Sequence, residues 1–235
     1  MGINNKKIII FDIDETLVEN EVYPKNMDEY INAMKMLKKN NYYFGICTNR
    51  PLEKFVKQIV NKYKINDFII CEGGACIYKK ILGFYILRKT FVNKNINRKL
   101  KKQLKNQLEY IKLNDKRIRS STIKILSKSK KNTIIKKLNK IDWLKDYIVQ
   151  EKNLKITIES KHIDKIKTIN NLYKCESVIF VTDYEKRLSM PNINVKIYSV
   201  GEDKIFNKTC HLVYSKSTLG VLEILKKEGM KYEKI

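Results

Sequence analysis

The chain has 235 residues, 43% of them hydrophobic and 10% aromatic, which suits one large domain or a core with a sizeable insert. That much apolar material excludes a disordered chain despite 31% charged residues. The formal charge is +24, and it is uneven: residues 79–163 hold 25 basic and 6 acidic side chains.

In chain order, Lys7-Ile8-Ile9-Ile10-Phe11-Asp12 is an apolar run ending in an acid, as in a strand buried on both faces of a parallel sheet. Met27, Tyr30, Ile31, Met34 and Leu37 recur at helical spacing. Residues 42–47 read as a second buried strand ending at Thr48-Asn49-Arg50-Pro51, and the proline opens a helix carrying Phe55, Val56, Ile59 and Val60. Residues 67–71 form a third strand, closed by Glu72-Gly73-Gly74. This alternation predicts a doubly wound, mostly parallel, Rossmann-like α/β domain.

The rhythm then breaks. Residues 75–78 and 84–87 flank a turn at Gly83 and read as a hairpin. A basic helix is expected over 96–113, striped by Leu100, Leu104, Leu108 and Ile111. A strand (122–126), a helix (132–146) holding Trp143, and two strands (147–150 and 154–158) follow. Lys165 starts a helix with Ile166, Ile169 and Leu172, and residues 177–182 form a buried strand ending in Asp183. Strands at 195–200 and 212–214 and a helix at 218–228 finish the chain. The expected division is an α/β core of residues 1–78 and 162–235, interrupted by a small α+β domain of residues 79–161. The basic excess belongs to the insert.

No apolar run approaches the ~18 residues of a membrane span. The first strand begins at Lys7, which leaves no room for a secretory leader, so a soluble cytoplasmic protein is expected. The five cysteines (Cys47, Cys71, Cys76, Cys175, Cys210) include no CxxC pair and are joined by only two histidines, which argues against a zinc site or a disulfide framework. The basic insert would attract nucleic acid. Its lysines are spread through amphipathic segments with few aromatics between them to stack bases, so the coding bias of an AT-rich genome is the preferred reading.

Ligands of an open parallel sheet bind at the carboxyl ends of its strands. Asp12, Asp14, Thr48, Glu72-Gly73-Gly74 and Asp183 fall there, so three carboxylate-bearing strand ends and a hydroxyl are expected to converge. Like charges so close need a shared cation or proton, and Mg²⁺, which takes one or two carboxylates plus phosphate oxygens, fits. An Asp-x-Asp after a strand can merely cap a turn. With Thr48, Lys165 and Asp183 at matched positions, a site is the better reading.

Phe11-Asp12-Ile13-Asp14-Glu15-Thr16-Leu17 resembles the first motif, DxDxT, of the haloacid dehalogenase-like phosphohydrolase superfamily. Thr48 is similar to its second motif, and Thr48-Asn49-Arg50 resembles the Thr-Gly-Arg of the sugar-phosphatase branch. Cys71-Glu72-Gly73-Gly74-Ala75 is similar to that branch's Glu-Asn-Gly-Ala segment leading into the cap. Asp164-Lys165 is placed like the lysine of the third motif. The resemblance spans nearly the full length, including His211-Leu212-Val213 and the last helix. An insert between the second and third motifs resembles the second cap type, found in Cof-like sugar phosphatases, mannosyl-3-phosphoglycerate phosphatases, eukaryotic-type phosphomannomutases and archaeal phosphoglycolate phosphatases. The small size is most similar to the last. Asp-x-Asp-Glu-Thr-Leu also occurs in phosphatases of the RNA polymerase C-terminal domain, which lack a cap of this size.

The resemblance implies an Mg²⁺-dependent phosphatase of a small phosphorylated metabolite, such as a sugar phosphate or phosphoglycolate. Asp12 would be the nucleophile, forming an aspartyl-phosphate. Asp14 would be general acid and base. Thr48, Asn49, Arg50 and Lys165 would hold the substrate, with Thr48 and Lys165 on the phosphoryl oxygens. The metal ligands would be the Asp12 carboxylate, the Asp14 main-chain carbonyl and Asp183. Arg88, Lys89, Arg117 and Arg119 are candidates for a second anionic group of the substrate. The chain departs from the family at the fourth motif, Gly-Asp-x-x-x-Asp, which here reads Thr182-Asp183-Tyr184-Glu185-Lys186-Arg187. Arg187 in place of an acid would weaken the hold on Mg²⁺, with Glu185 a partial substitute. Two other readings stay open: a catalytically degenerate relative that binds a phosphorylated ligand, and a nucleic-acid-associated phosphatase or binder using the basic insert.

Overall fold

The computed structural model describes residues 7–91, 95–172, 177–183, 194–201 and 212–230. Strand β1 (Lys7–Phe11) is apolar on both faces because both are covered. Ile9 and Phe11 face one apolar cluster, shared with helices α1 (Met27–Lys39), α2 (Lys54–Lys62) and α6 (Ser217–Met230). Ile8 and Ile10 face a second, capped by Ile166 and Ile169 of α5 (Lys165–Leu172). Full burial of such a side chain is worth about 1.5–3 kcal/mol, so a slip of one residue is heavily penalised.

Strand β1 pairs in parallel with β2 (Tyr42–Cys47) on one side and β10 (Ser177–Thr182) on the other. Beyond β2 lies β3 (Phe68–Cys71), and beyond β10 lie β11 (Val195–Ser199) and β12 (Leu212–Val213), all parallel. The fold is therefore the expected doubly wound α/β sheet, with its switch point between β1 and β10.

The hairpin of β4 (Cys76–Ile81) and β5 (Phe84–Thr90) adds to the same sheet, for an order β12-β11-β10-β1-β2-β3-β4-β5. Strand β4 runs antiparallel to β3, with Cys71 opposite Cys76. The turn at Glu72–Ala75 sends the chain straight back along β3, so residue 79, where the sequence suggested the insert begins, falls inside a core-sheet strand. Alternation reveals a hairpin but not the sheet it joins.

A second, four-stranded antiparallel sheet follows in the order β6-β7-β9-β8, built from β6 (Ile111–Leu113), β7 (Ser121–Ile125), β8 (Tyr147–Lys152) and β9 (Lys155–Ser160). Helices α3 (Ile96–Gln103) and α4 (Lys131–Asn139) cover one face over a separate core that includes Leu100, Ile123, Ile134 and Ile156. Two expected helices are shorter than their apolar spacing implies. Leu104 ends α3, a 3-10 segment spans Lys105–Tyr110, and Ile111 starts β6, whose pairing with β7 overrides the helical stripe. Trp143 sits in a 3-10 turn, Asp142–Asp146, beyond the end of α4. Pro51 precedes α2 instead of opening it.

Among the described residues no helix is long and apolar enough to cross a membrane. Cys47, Cys71 and Cys76 are buried, and desolvation pushes the Cys71 and Cys76 thiols well above the usual range. Cys175 and Cys210 lie outside the described residues.

Candidate active site

Asp12 ends β1 at the switch point, and its N–H donates to Val181 O of β10 at 2.8 Å. Asp12 is only 6% exposed, and its carboxylate is held from two sides. Oδ1 accepts from Ile13 N at 2.7 Å, while Oδ2 meets Lys165 Nζ and lies 3.4 Å from Thr182 Oγ1. Lys165 is itself 1% exposed, so the pair is isolated from water.

The position of Lys165 follows from Gly74. This glycine has φ +104°, and a Cβ there would lie 2.7 Å from Asp164 O and 2.6 Å from Thr168 Oγ1. Its carbonyl accepts from Thr168 Oγ1 at 2.9 Å, and Asp164 Oδ1 caps the helix by accepting from Lys167 N. Helix α5 can therefore approach the β3–β4 turn only across a residue without a side chain. Gly74→Ala is expected to cost about 1–3 kcal/mol through forced φ and displaced backbone. Thermal unfolding with a parallel assay of activity checks it: stability and turnover should fall together.

Thr48 ends β2, fully buried, with its N–H on Ile70 O at 2.9 Å. Its Oγ1 accepts from Arg50 N at 3.2 Å and its carbonyl from Gly73 N at 3.1 Å, so the second strand end is tied to the third. Asn49 is exposed beside Gly73. Arg50 grips the half-exposed Asp14 carboxylate through Nε and Nη2 at 2.7–3.1 Å, reaches Glu21 at 2.7 Å, and packs 4.4 Å over the Phe55 ring. The hydrogen bonds to Asp14 raise the guanidinium pKa still further. Asp183 follows β10 next to Asp12, and Gly201 backs it so closely that a Cβ there would stand 2.0 Å from the Asp183 carbonyl.

Glu72 departs from expectation. Instead of joining the other carboxylates it turns to the second sheet, accepting from Ile118 N (2.8 Å), Arg119 N (2.9 Å), Ser120 N (2.7 Å) and Ser120 Oγ (2.7 Å). It is 3% exposed, with φ +55°. Arg117 Nη1 completes the contact on Ser120 Oγ at 2.7 Å. The core therefore grips the β6–β7 connection through one carboxylate. Its sequence signals were an acid before two glycines after the third strand and the likeness of that segment to the family's Glu-Asn-Gly-Ala. Thr182, the glycine-to-threonine change in the fourth motif, proves to touch the nucleophile candidate. Arg119 lines a small space beside Glu72 and Gly73, whereas Arg88 and Lys89 are exposed on β5 at the far edge of the sheet.

A sequence profile described as haloacid dehalogenase-like hydrolase matches residues 9–235. The chain belongs to this family. No curated protein matches it. Among solved structures, this hydrolase superposes on a haloacid dehalogenase-like hydrolase from Bacteroides thetaiotaomicron with TM-score 0.70 at 14% identity, covering 95% of this chain and 100% of that one. A phosphatase of the haloalkanoate enzyme superfamily, also from Bacteroides thetaiotaomicron, gives 0.64 at 11%, covering 96% of each. A trehalose-6-phosphate phosphatase related protein gives 0.58 at 15%, covering 95% and 97%. At such identities the likeness establishes the fold.

In the hydrolase, then, Asp12, Lys165 and Thr182 form one buried cluster, with Thr48 and Asp183 on the flanking strand ends and Asp14 paired to Arg50 at the rim. Among the described residues no three acidic, histidine or cysteine side chains gather as a metal cluster, and the Asp14 carboxylate turns to Arg50. Glu185, Lys186 and Arg187 lie outside the described residues.

Proposed function

We propose that this hydrolase is a magnesium-dependent phosphomonoesterase of a small phosphorylated metabolite, such as a sugar phosphate or phosphoglycolate, acting in the cytoplasm. The observation that carries the reading is the buried Asp12–Lys165 pair at the switch point, with Thr48 on the adjacent strand. A carboxylate kept dry against an ammonium is a poor structural device, because apolar packing would serve stability as well. It is a good nucleophile holder, since the lysine offsets its charge while a phosphate dianion approaches.

The donor chemistry suits magnesium. Asp12 and Asp183 end neighbouring parallel strands, and with the Asp14 main-chain carbonyl they offer hard oxygens of the kind Mg²⁺ takes beside phosphate and water. When bound, the ion neutralises phosphoryl charge. Asp12, steadied by Ile13 N–H, attacks phosphorus in line; the bond to the leaving oxygen breaks as Asp14 delivers a proton to it. Asp14, now a carboxylate, removes a proton from the water that hydrolyses the aspartyl-phosphate. In the free protein Arg50 grips Asp14 through two nitrogens, so freeing Asp14 for the acid role has Arg50 exchange it for an anionic group of the substrate. The second sheet, with α3 and α4, serves as a cap, with the Glu72 contact fixing the 118–120 loop beside the site.

Asp14→Asn is expected to slow hydrolysis of an alkyl phosphate ~10²–10⁴-fold and that of an aryl phosphate, whose leaving group needs little proton help, much less. Equal losses on both would remove Asp14 from the acid role. The reading as a whole is tested by p-nitrophenyl phosphate hydrolysis with Mg²⁺ and with EDTA, then by a panel of phosphorylated metabolites. Turnover that chelation stops supports it. No hydrolysis at saturating Mg²⁺ would leave a binding protein in its place.

A further inference from the structure

The tip of the β4–β5 hairpin is apolar and bare. Ile81 pairs with Phe84 across a two-residue turn, Leu82-Gly83, in which both residues have positive φ, +48° and +83°. Turns of this kind favour Asn-Gly, because a bulky L side chain is strained at positive φ. Here the first turn position carries leucine, 93% exposed, and Phe84 beside it is 74% exposed. Neither backbone preference nor burial accounts for a leucine there. Apolar exposure falls away from the tip: Ile86 and Leu87, further along β5, are each 40% exposed.

Behind the tip the hairpin is basic. Residues 76–91 contain Lys79, Lys80, Arg88 and Lys89 and no acid. Lys80 pairs with Tyr85 and Lys79 with Ile86, so at a rise of about 3.4 Å per residue they stand ~3 and ~7 Å behind the Ile81–Phe84 pair. Tyr85 lies at the same level, with Lys80 Nζ 5.7 Å and Lys57 Nζ 5.4 Å from its ring centre. Its hydroxyl and Lys80 Nζ both donate to Asn61 Oδ1, which fixes the tyrosine among the lysines. The order from the tip is therefore two bare apolar side chains, then a tyrosine in a basic collar.

That order is the one a bilayer surface asks for: apolar groups in the acyl boundary, aromatic and cationic groups among anionic headgroups about 5–10 Å further out. A second copy fits less well. Pairing of two β5 edges would draw on exposure spread along the strand, whereas exposure peaks at the turn, and it would bring together two chains of +24. We propose that the β4–β5 tip docks this hydrolase end-on to anionic lipid bilayers, with Leu82 and Phe84 in the acyl boundary and Lys79 and Lys80 on headgroup phosphates. A peripheral contact of this kind needs no membrane-spanning helix. Strand β4 starts opposite Cys71 at the carboxyl end of β3 and runs back along it, so the tip lies at the other end of the sheet from Asp12. Docking therefore turns the Asp12 site away from the membrane. The inference goes beyond the proposed phosphatase activity and does not depend on it.

The test is co-sedimentation of the full chain with vesicles of phosphatidylcholine alone, and of about three parts phosphatidylcholine to one of phosphatidylserine, over a salt series. Binding is expected on the anionic vesicles, falling as salt rises, and about tenfold or more weaker on the neutral ones. Leu82→Asn/Phe84→Thr places the residue the turn prefers and a strand former, so the fold is retained, and should weaken binding about tenfold or more. Lys79→Gln/Lys80→Gln should weaken it by a similar factor on anionic vesicles and flatten the salt dependence. Leu219→Asn, which removes a 65% exposed leucine from α6, should leave it within about twofold. Phe84→Trp should be quenched by bromine-labelled acyl chains, whereas the wild type, whose one tryptophan is Trp143, should not. Aryl phosphate hydrolysis without vesicles should be unchanged in every variant, so failure here is separable from failure of the phosphatase reading. Equal binding by the tip variant and the wild type would mean that diffuse charge holds the chain on the surface, and would overturn the proposal. So would the absence of binding to anionic vesicles at low salt, or a dimer in solution that the tip variant dissociates without any vesicle binding.

Discussion

Asp12→Asn is expected to reduce phosphomonoester hydrolysis by roughly 10⁴–10⁶-fold, the scale on which loss of a covalent nucleophile acts. An amide oxygen neither attacks phosphorus usefully nor leaves as a carboxylate. The structure adds a second consequence. Lys165 is 1% exposed and loses its counter-charge, and breaking a buried pair from one side typically costs about 3–5 kcal/mol. The single variant should therefore also melt earlier. Lys165→Met alone should lose activity and stability as well, because Asp12 is then the stranded charge. The double variant Asp12→Asn/Lys165→Met separates the effects: it should recover much of the stability and none of the turnover. Turnover of Asp12→Asn within tenfold of wild type would remove Asp12 as nucleophile. Additive stability losses in the double variant would mean that the two groups do not sense each other.

The sequence made the core legible because burial on both faces writes an unmistakable pattern. Ile8-Ile9-Ile10-Phe11 admits no polar residue, and the chain has to place such a run in the middle of a parallel sheet. Asp12 and Thr48 could be placed for the same reason, since each is the first polar group after such a run, and Asp183 follows Thr182 at the end of another. Lys165 was found through its resemblance to a family motif; its contact with Asp12 depends on how closely α5 approaches Gly74, a tertiary distance that no periodicity encodes. The insert was read less well. Leu104, Leu108 and Ile111 continue a helical stripe on paper, yet β6 begins at Ile111 because its edge pairs with β7.

Glu72→Ala is expected to release the second sheet from the core while leaving both folded. The carboxylate accepts three backbone N–H groups and a hydroxyl within one short stretch, Ile118–Ser120. Hydrogen bonds to a charged acceptor contribute about 1.5–3 kcal/mol each, and amides left without a partner cost a similar amount until water reaches them. The contributions do not add fully, since the freed loop relaxes; about 3–5 kcal/mol of docking energy is a reasonable expectation. Each sheet keeps its own apolar core, one around Ile9 and Phe11 and the other around Ile123 and Ile156, so global unfolding should change much less than docking. Hydrogen exchange at residues 118–120 reads the docking directly, and 3–5 kcal/mol corresponds to faster exchange by roughly 10²–10³·⁵-fold. Glu72→Gln retains the shape but presents an amide N–H₂ to donors that need an acceptor, and should fall between the two. For a phosphatase whose substrate is enclosed by this module, KM should rise more than kcat falls, because Asp12 and Lys165 are untouched while the wall opposite them is loosened. Unchanged exchange at 118–120 in Glu72→Ala would shift the docking role to the remaining contacts of the loop, such as Arg117 on Ser120, and Glu72 would then merely satisfy a strained turn at φ +55°.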